Sequence, residues 1–308
     1  MKNSLLLLAV VLLASTSRAQ QSSMPPSRAQ RSFVIPFQLT PYNNLSIQAV
    51  LNERDTVNLM FHLAANYVAV TEDAAKKIKS LNWGGSVDSV KSWGGSDNTS
   101  RVSRNNLFEI AGMKWENTAI WEDKYSGANT DGKFGTDLFE HKNIEIDFDN
   151  NLITISTDLP EKIKDYEKLR LTFNHDNMFI EAACEIDGQA VKNKFLVHSG
   201  YSGSILLDDQ FVADNKLGEK LKVIDEKELK DSFGHVLKTK KAIIPVFIIG
   251  REQLSDVPVG FFQGAIGRQK MSIIGGDILK RFNIIIDAQR EYIYLKANHL
   301  KGMAFSNV

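Results

Sequence analysis

The sequence predicts a mostly β protein built as two copies of one unit, and three observations carry that prediction. The first is a repeated motif: Val57–Ala69 and Asn193–Ile205 each read as an apolar strand ending in a histidine, then small residues, then a second apolar run. The histidines are His62 and His198. The second observation is that further pieces recur in the same order and at a nearly constant offset. Ser92-Trp93-Gly94 matches Ser232-Phe233-Gly234, and Phe134-Gly135-Thr136-Asp137-Leu138-Phe139 matches Ile274-Gly275-Gly276-Asp277-Ile278-Leu279. Asn143-Ile144-Glu145-Ile146-Asp147-Phe148 then matches Asn283-Ile284-Ile285-Ile286-Asp287-Ala288. The third is texture: from Ser32 onward, short runs of β-prone residues alternate with turn signals, while helical patterns are few and brief.

Each element has its own reason. Met1-Lys2-Asn3, an apolar run over Leu5–Ala14 and the small residues around Ala19 read as a signal peptide over 1–19. The run is too short to span a bilayer, which takes roughly 20 residues. Residues 20–31, rich in Gln, Ser, Pro and Arg, read as a disordered lead-in. Val34-Ile35-Pro36-Phe37 opens the β region, and Ser46–Leu51 alternates as a half-buried strand does. Thr71 is placed to cap a short helix running to Ile78, and a second helix is expected from Asp209 to Asn215. Asn150-Asn151 and Asp187-Gly188 are hairpin turns between β-prone runs. Cys184 lies in the alternating run Ile180–Ile186 and reads as a small core residue. Asp158-Leu159-Pro160-Glu161-Lys162 joins the copies, giving an N-terminal unit over 32–158 and a C-terminal one over 159–308.

Composition excludes several functions. Lys plus Arg and Asp plus Glu both number 37 in the 308 residues, so the clustered positive excess of a nucleic-acid surface is not expected. With a single cysteine, no internal disulfide can form. The chain is expected to be exported to the periplasm or beyond, without a membrane span, and monomeric. Asn44-Leu45-Ser46 and Asn98-Thr99-Ser100 fit the glycosylation acceptor pattern, which carries meaning only in a eukaryotic secretory pathway.

The order of motifs resembles the retropepsin-like and pepsin-like aspartic proteases, in their two-lobed, single-chain, exported form. In that family each lobe carries a strand ending in Asp-Thr/Ser-Gly, a glycine-bearing flap hairpin and a later apolar-Gly-x-Asp segment opening a short helix. Those pieces fall on residues 62–64 and 198–200, on the Ser92–Ser100 and Ser232–Leu237 regions, and on residues 134–138 and 274–278. The resemblance covers roughly residues 32–297, nearly all of the duplicated part of the chain. It implies an acid-protease fold of two lobes about a pseudo-twofold axis, with His62 and His198 facing one another across it. Trp93, Gly94, Phe233 and Gly234 then become the residues expected to cover a bound substrate.

The family's chemistry uses two facing carboxylates that share one proton. Here the corresponding triplets are His62-Leu63-Ala64 and His198-Ser199-Gly200, and neither holds an aspartate. Leu63 lacks the hydroxyl that would bond across the lobe interface, whereas Ser199 keeps it. Ala64 puts a Cβ where the family has glycine, so the first turn is expected to differ in geometry. Asp137 and Asp277 are read as helix caps. The reading that follows is a homologue without the catalytic dyad, with no cofactor and no metal, holding a peptide or unfolded protein segment in its inter-lobe cleft. Two alternatives stay open. The imidazoles could act as a general acid–base pair in a peptidase, or they could serve a metal-binding or scaffold protein.

Overall fold

A computed structural model describes residues 32–92, 95–230, 236–262 and 269–306. The expected leader and lead-in, and Trp93, Gly94, Phe233, Gly234 and His235 with them, lie outside the described residues. The chain is mostly β, as its alternating runs predict. In the first half β1 (Phe33–Pro36) and β2 (Gln38–Leu39) precede β3 (Leu45–Leu51), β4 (Asp55–Phe61) and β5 (Val68–Thr71). The helix α1 (Glu72–Ala75) leads to β6 (Trp83–Ser92), β7 (Gly95–Ile110), β8 (Met113–Asp123) and β9 (Gly132–Phe134). A 3₁₀ turn at Thr136–Phe139 and the hairpin β10 (Asn143–Asp147) and β11 (Leu152–Ser156) complete this half.

The second half repeats the series. A 3₁₀ turn at Glu161–Asp165 leads to β12 (Glu167–Arg170), β13 (Thr172–Asn174), β14 (Asn177–Ile186) and β15 (Gln189–Val197). After β16 (Ile205–Leu206) come α2 (Asp209–Asp214), α3 (Leu217–Lys220), β17 (Asp225–Lys230), β18 (Val236–Ile249) and β19 (Glu252–Phe261). The chain then forms β20 (Ser272–Ile274), α4 (Gly276–Leu279), β21 (Phe282–Ile286) and β22 (Tyr292–Ala297).

The duplication is visible in strand order. One eight-stranded sheet runs β2-β3-β4-β9-β5-β8-β7-β6, with β3 also pairing β7; the other runs β13-β14-β15-β20-β16-β19-β18-β17, with β14 also pairing β18. Every strand of the first has its counterpart at the same place in the second. A six-stranded sheet, β1-β11-β10-β21-β22-β12, takes three strands from each half. Its central pairing is self-complementary: Ile144 lies opposite Ile286, Ile146 opposite Ile284, and Glu145 opposite Ile285. Such a contact is what two copies of one surface make when they meet face to face.

Local physics explains the elements. In β3, Leu45, Ile47, Ala49 and Leu51 are buried while the residues between them face outward, the period of two that a strand imposes. All five residues of β21 are buried, because this central strand is covered on both faces. Asp187 and Gly188 both take positive φ, 52° and 74°, and close the β14–β15 hairpin as their sequence foretells. Thr71 caps α1 by accepting the Ala74 N–H, and Asp208 does the same for α2 toward Phe211. Cys184 is fully buried in β14, and burial pushes its thiol up to about 12, which suits a core residue and not a nucleophile. Asn44 is buried too, with its side chain donating to the Ala128 carbonyl, so its acceptor pattern is inaccessible. No helix among the described residues is long and apolar enough to cross a membrane.

Candidate functional site

β4 and β15 end side by side, each delivering a histidine to the floor of a cleft of roughly 1420 Å³. The same backbone device holds both. The N–H of His62 donates to the Phe134 carbonyl in β9, and that of His198 to the Ile274 carbonyl in β20. Each histidine carbonyl then accepts the N–H three residues on, from Ala65 and from Tyr201. The change of turn geometry expected from Ala64 therefore does not occur: the first turn keeps the hydrogen bond of the second. Ala64 has no positive φ to relieve, so a Cβ is tolerated there.

The two rings meet edge to face, with centroids 4.5 Å apart and planes inclined at 65°. Gly200 makes this possible. A Cβ at that position would lie 2.3 Å from Nε2 and Cδ2 of His62. The neighbouring glycines of the repeated Gly-x-Asp segments act similarly: a Cβ on Gly135 would strike the Ala65 carbonyl at 2.0 Å, and one on Gly275 the Gly203 carbonyl at 2.1 Å. Ser199 is fully buried and bonds across the two halves, accepting from the Leu63 N–H at 2.9 Å and donating to the Phe61 carbonyl at 2.8 Å. Leu63 returns no hydroxyl and packs into the core instead.

Electrostatics keep both imidazoles neutral. Burial holds His62 well below its ordinary value, with the charges of His198 and Lys133 acting in the same direction. Burial likewise brings His198 down to about 4, reinforced by Lys133. The Ala64 N–H donates to Nδ1 of His62 at 3.1 Å, which places the proton of the neutral ring on Nε2. Nδ1 of His198 is buried without a hydrogen-bond partner.

Lys133, Asp123 and Tyr67 belong to this site although sequence reasoning did not select them. Lys133 and Asp123 form a buried ion pair at 2.8 Å, and the ammonium lies 4.7 Å from the centre of the Tyr67 ring. All three line the cleft. A signal existed in the repeat: Lys133 stands in β9 where β20 has Ile273.

The remaining sequence candidates separate. Asp137 and Asp277 are not caps: Gly135 and Gly275 occupy the N-cap positions, and neither helix start receives a side-chain cap. Asp277 is instead a buried ionic centre, paired with Lys280 at 2.8 Å, facing Arg281, and accepting from Ser204 and from the Ser306 N–H. Asp137 lacks such partners: its Oδ1 is buried without a hydrogen bond, and burial raises its carboxyl. His141 and His175 are exposed, and His299 pairs with Asp149, all away from the cleft. Among the described residues, no three His, Cys, Asp or Glu side chains gather as metal ligands would. Of the tryptophans, Trp83 and Trp115 pack against the core and Trp121 lines the cleft. No protein-family model matches the chain, and no curated protein matches it.

Proposed function

We propose that this chain is an exported acid-protease homologue of two lobes, related by a pseudo-twofold axis, whose cleft binds an extended peptide or an unfolded protein segment without cutting it. The observation that carries the reading is the edge-to-face contact of His62 and His198 at the ends of equivalent strands. In the family that the motifs resemble, those places hold the two aspartates. Hydrolysis there needs one group that takes a proton from water and one that gives a proton up. General acid–base work is best done by groups that titrate near the working pH. Imidazoles held far below their ordinary value, with His198 at about 4, are both unprotonated at neutral pH and offer no acid. Binding asks less of the site. The cleft is large enough for several side chains, and β7 of the first half and β17 of the second each give it a lining residue, Ser100 and Leu229, an arrangement suited to addition of a strand.

The test is a broad peptide library incubated with the protein from pH 3 to pH 8, read by mass spectrometry, beside a binding assay on the same library. Binding without cleavage is the expected result. Cleavage that disappears in His62→Ala would replace this reading with a histidine-based peptidase. Absence of both binding and cleavage would remove the peptide altogether.

A further inference from the structure

The floor of the cleft is chemically two-sided, and the internal repeat shows how. In β15 and β20, Leu196 lies opposite Ile273; in β4 and β9, the matching pair is Met60 and Lys133. The antiparallel pairings add Leu206 beside Ile273 and Ala69 beside Lys133. Following the register of β5 with β8 and of β16 with β19 puts Asp123 where the second half has Phe262. Leu196, Leu206, Phe262 and Ile273 form an apolar cluster of their own. The equivalent place in the first half holds a buried ion pair.

An apolar quartet is a sound solution for this position, because the second half uses it. Replacing a buried ion pair by packed apolar residues is often neutral or stabilising, so stability alone gives no reason for Lys133 and Asp123. The ammonium bears on the centre of the cleft. It opposes protonation of both His62 and His198, whereas the Asp123 carboxylate has no comparable effect on either. Tyr67 beside Lys133 and Tyr201 on the apolar cluster are phenols that burial raises, and the cleft is lined further by Asp73, Lys77, Lys124, Tyr125, Asp131 and Lys270. At the floor itself the charges balance without a ligand: one ammonium and one carboxylate beside two neutral imidazoles. An arriving carboxylate leaves it one charge negative, and an imidazole can restore the balance by taking up a proton.

We propose that the cleft selects a carboxylate, seated between Lys133 and the imidazole pair, next to an apolar side chain packed on Leu196, Leu206 and Ile273. This deepens the peptide-binding reading and rests on it. The carboxylate can belong to an acidic side chain or to a chain terminus. Its binding is coupled to uptake of a proton by the histidine pair, so affinity rises as pH falls from about 7 to about 5, by at most tenfold per unit for one proton. Below that range the ligand's own carboxyl begins to protonate.

The experiment is calorimetric titration of the protein with acetylated, amidated alanine hexapeptides carrying Asp-Leu or Leu-Asp. The matching Asn peptides serve as controls, and an Asn-Leu peptide with a free C-terminus is the third arm. Titrations at pH 5.5 and 7.5, each in two buffers of different ionisation enthalpy, also report proton uptake. The expected result is at least tenfold preference for Asp over Asn at pH 5.5, a smaller preference at pH 7.5, and uptake of up to one proton. Preference for the free-terminus peptide alone supports a terminal carboxylate as the ligand group. In Lys133→Met/Asp123→Leu, which removes both charges together, leucine peptides should still bind while the Asp preference vanishes. Equal affinity for Asp and Asn peptides at both pH values, or binding without proton uptake, overturns the proposal in the wild-type protein itself, whether or not that variant folds. If no peptide binds, the reading on which it rests falls as well.

Discussion

At the scale of single residues, the site depends on two small residues beside the histidines, Ser199 and Gly200. The Ser199 hydroxyl satisfies a donor on Leu63 and an acceptor on Phe61, both in the other half of the chain and both in a fully buried setting. Removing it leaves two buried backbone groups unpaired, at roughly 1–3 kcal/mol each. Ser199→Ala should therefore lower unfolding stability by several kcal/mol in a denaturant titration, while Ser199→Thr, which keeps the hydroxyl, should recover most of it. Gly200 works by absence. Its missing Cβ is the space that the His62 ring fills, so Gly200→Ala must push the imidazole aside. A shifted His62 resonance in the NMR spectrum of Gly200→Ala is the expected sign, and an unchanged one would mean that the rings do not meet as described. His62, His198, Ser199 and Gly200 were legible in the sequence because they share one motif that the repeat marks. Lys133 and Asp123 lie ten residues apart on different strands. Only the pairing of β5 with both β8 and β9 brings them together, and no spacing rule encodes that.

At the scale of elements, identical motifs have taken opposite electrostatic roles. Asp277 opens α4 amid Lys280, Arg281 and the Ser306 N–H, and Arg281 in turn donates to the carbonyls of Leu300, Lys301 and Met303. The segment after β22 is thereby anchored to α4 through one carboxylate. Asp277→Asn leaves Lys280 and Arg281 buried without their counter-charge, and breaking a buried pair in this way costs about 3–5 kcal/mol. Limited proteolysis should then release the C-terminal residues faster than from the wild type. Asp137 occupies the same place in the first half with neighbours of the wrong sign, since Glu140 and Asp176 raise its carboxyl further. Its charged form is disfavoured by folding, so Asp137→Asn should be neutral or stabilising at pH 7. A loss of more than about 1 kcal/mol in that variant, the centre of the usual range for single substitutions, would contradict the assignment. The sequence makes both aspartates look like caps because the pattern Gly-x-Asp before a short helix is the same. What distinguishes them is the basic pair Lys280-Arg281, where the first half has Glu140-His141, together with the segment after β22 that reaches Asp277.

At the scale of the whole molecule, the strand order of each half follows from its hydrophobic pattern and turns, and the duplication was legible from three motifs in order. The join was less so. Nothing in Asn143–Phe148 or Asn283–Ala288 alone says that β10 and β21 pair with one another, although Ile144, Ile146, Ile284 and Ile286 supply the matching faces. Together with Ser199, this pairing fixes the two histidines against each other at the seam, which makes their titration a property of the entire fold. The unfolded chain protonates its histidines near pH 6.5, whereas in the folded chain His198 waits until about 4 and His62 is also well depressed. Between those values the unfolded state binds more protons, so acid favours unfolding. The stabilisation tied to the neutral pair is fully present above pH 6.5 and is lost as pH falls toward 4, on the order of 3 kcal/mol for His198 alone. Carboxylates contribute little to that slope above pH 5, since most unfolded-state values lie near 4. Urea titrations from pH 7.5 to pH 5 should show wild-type stability falling with a slope that His62→Leu/His198→Leu does not share. Parallel slopes in the two proteins would show that the rings are solvated and that the seam between the halves is open.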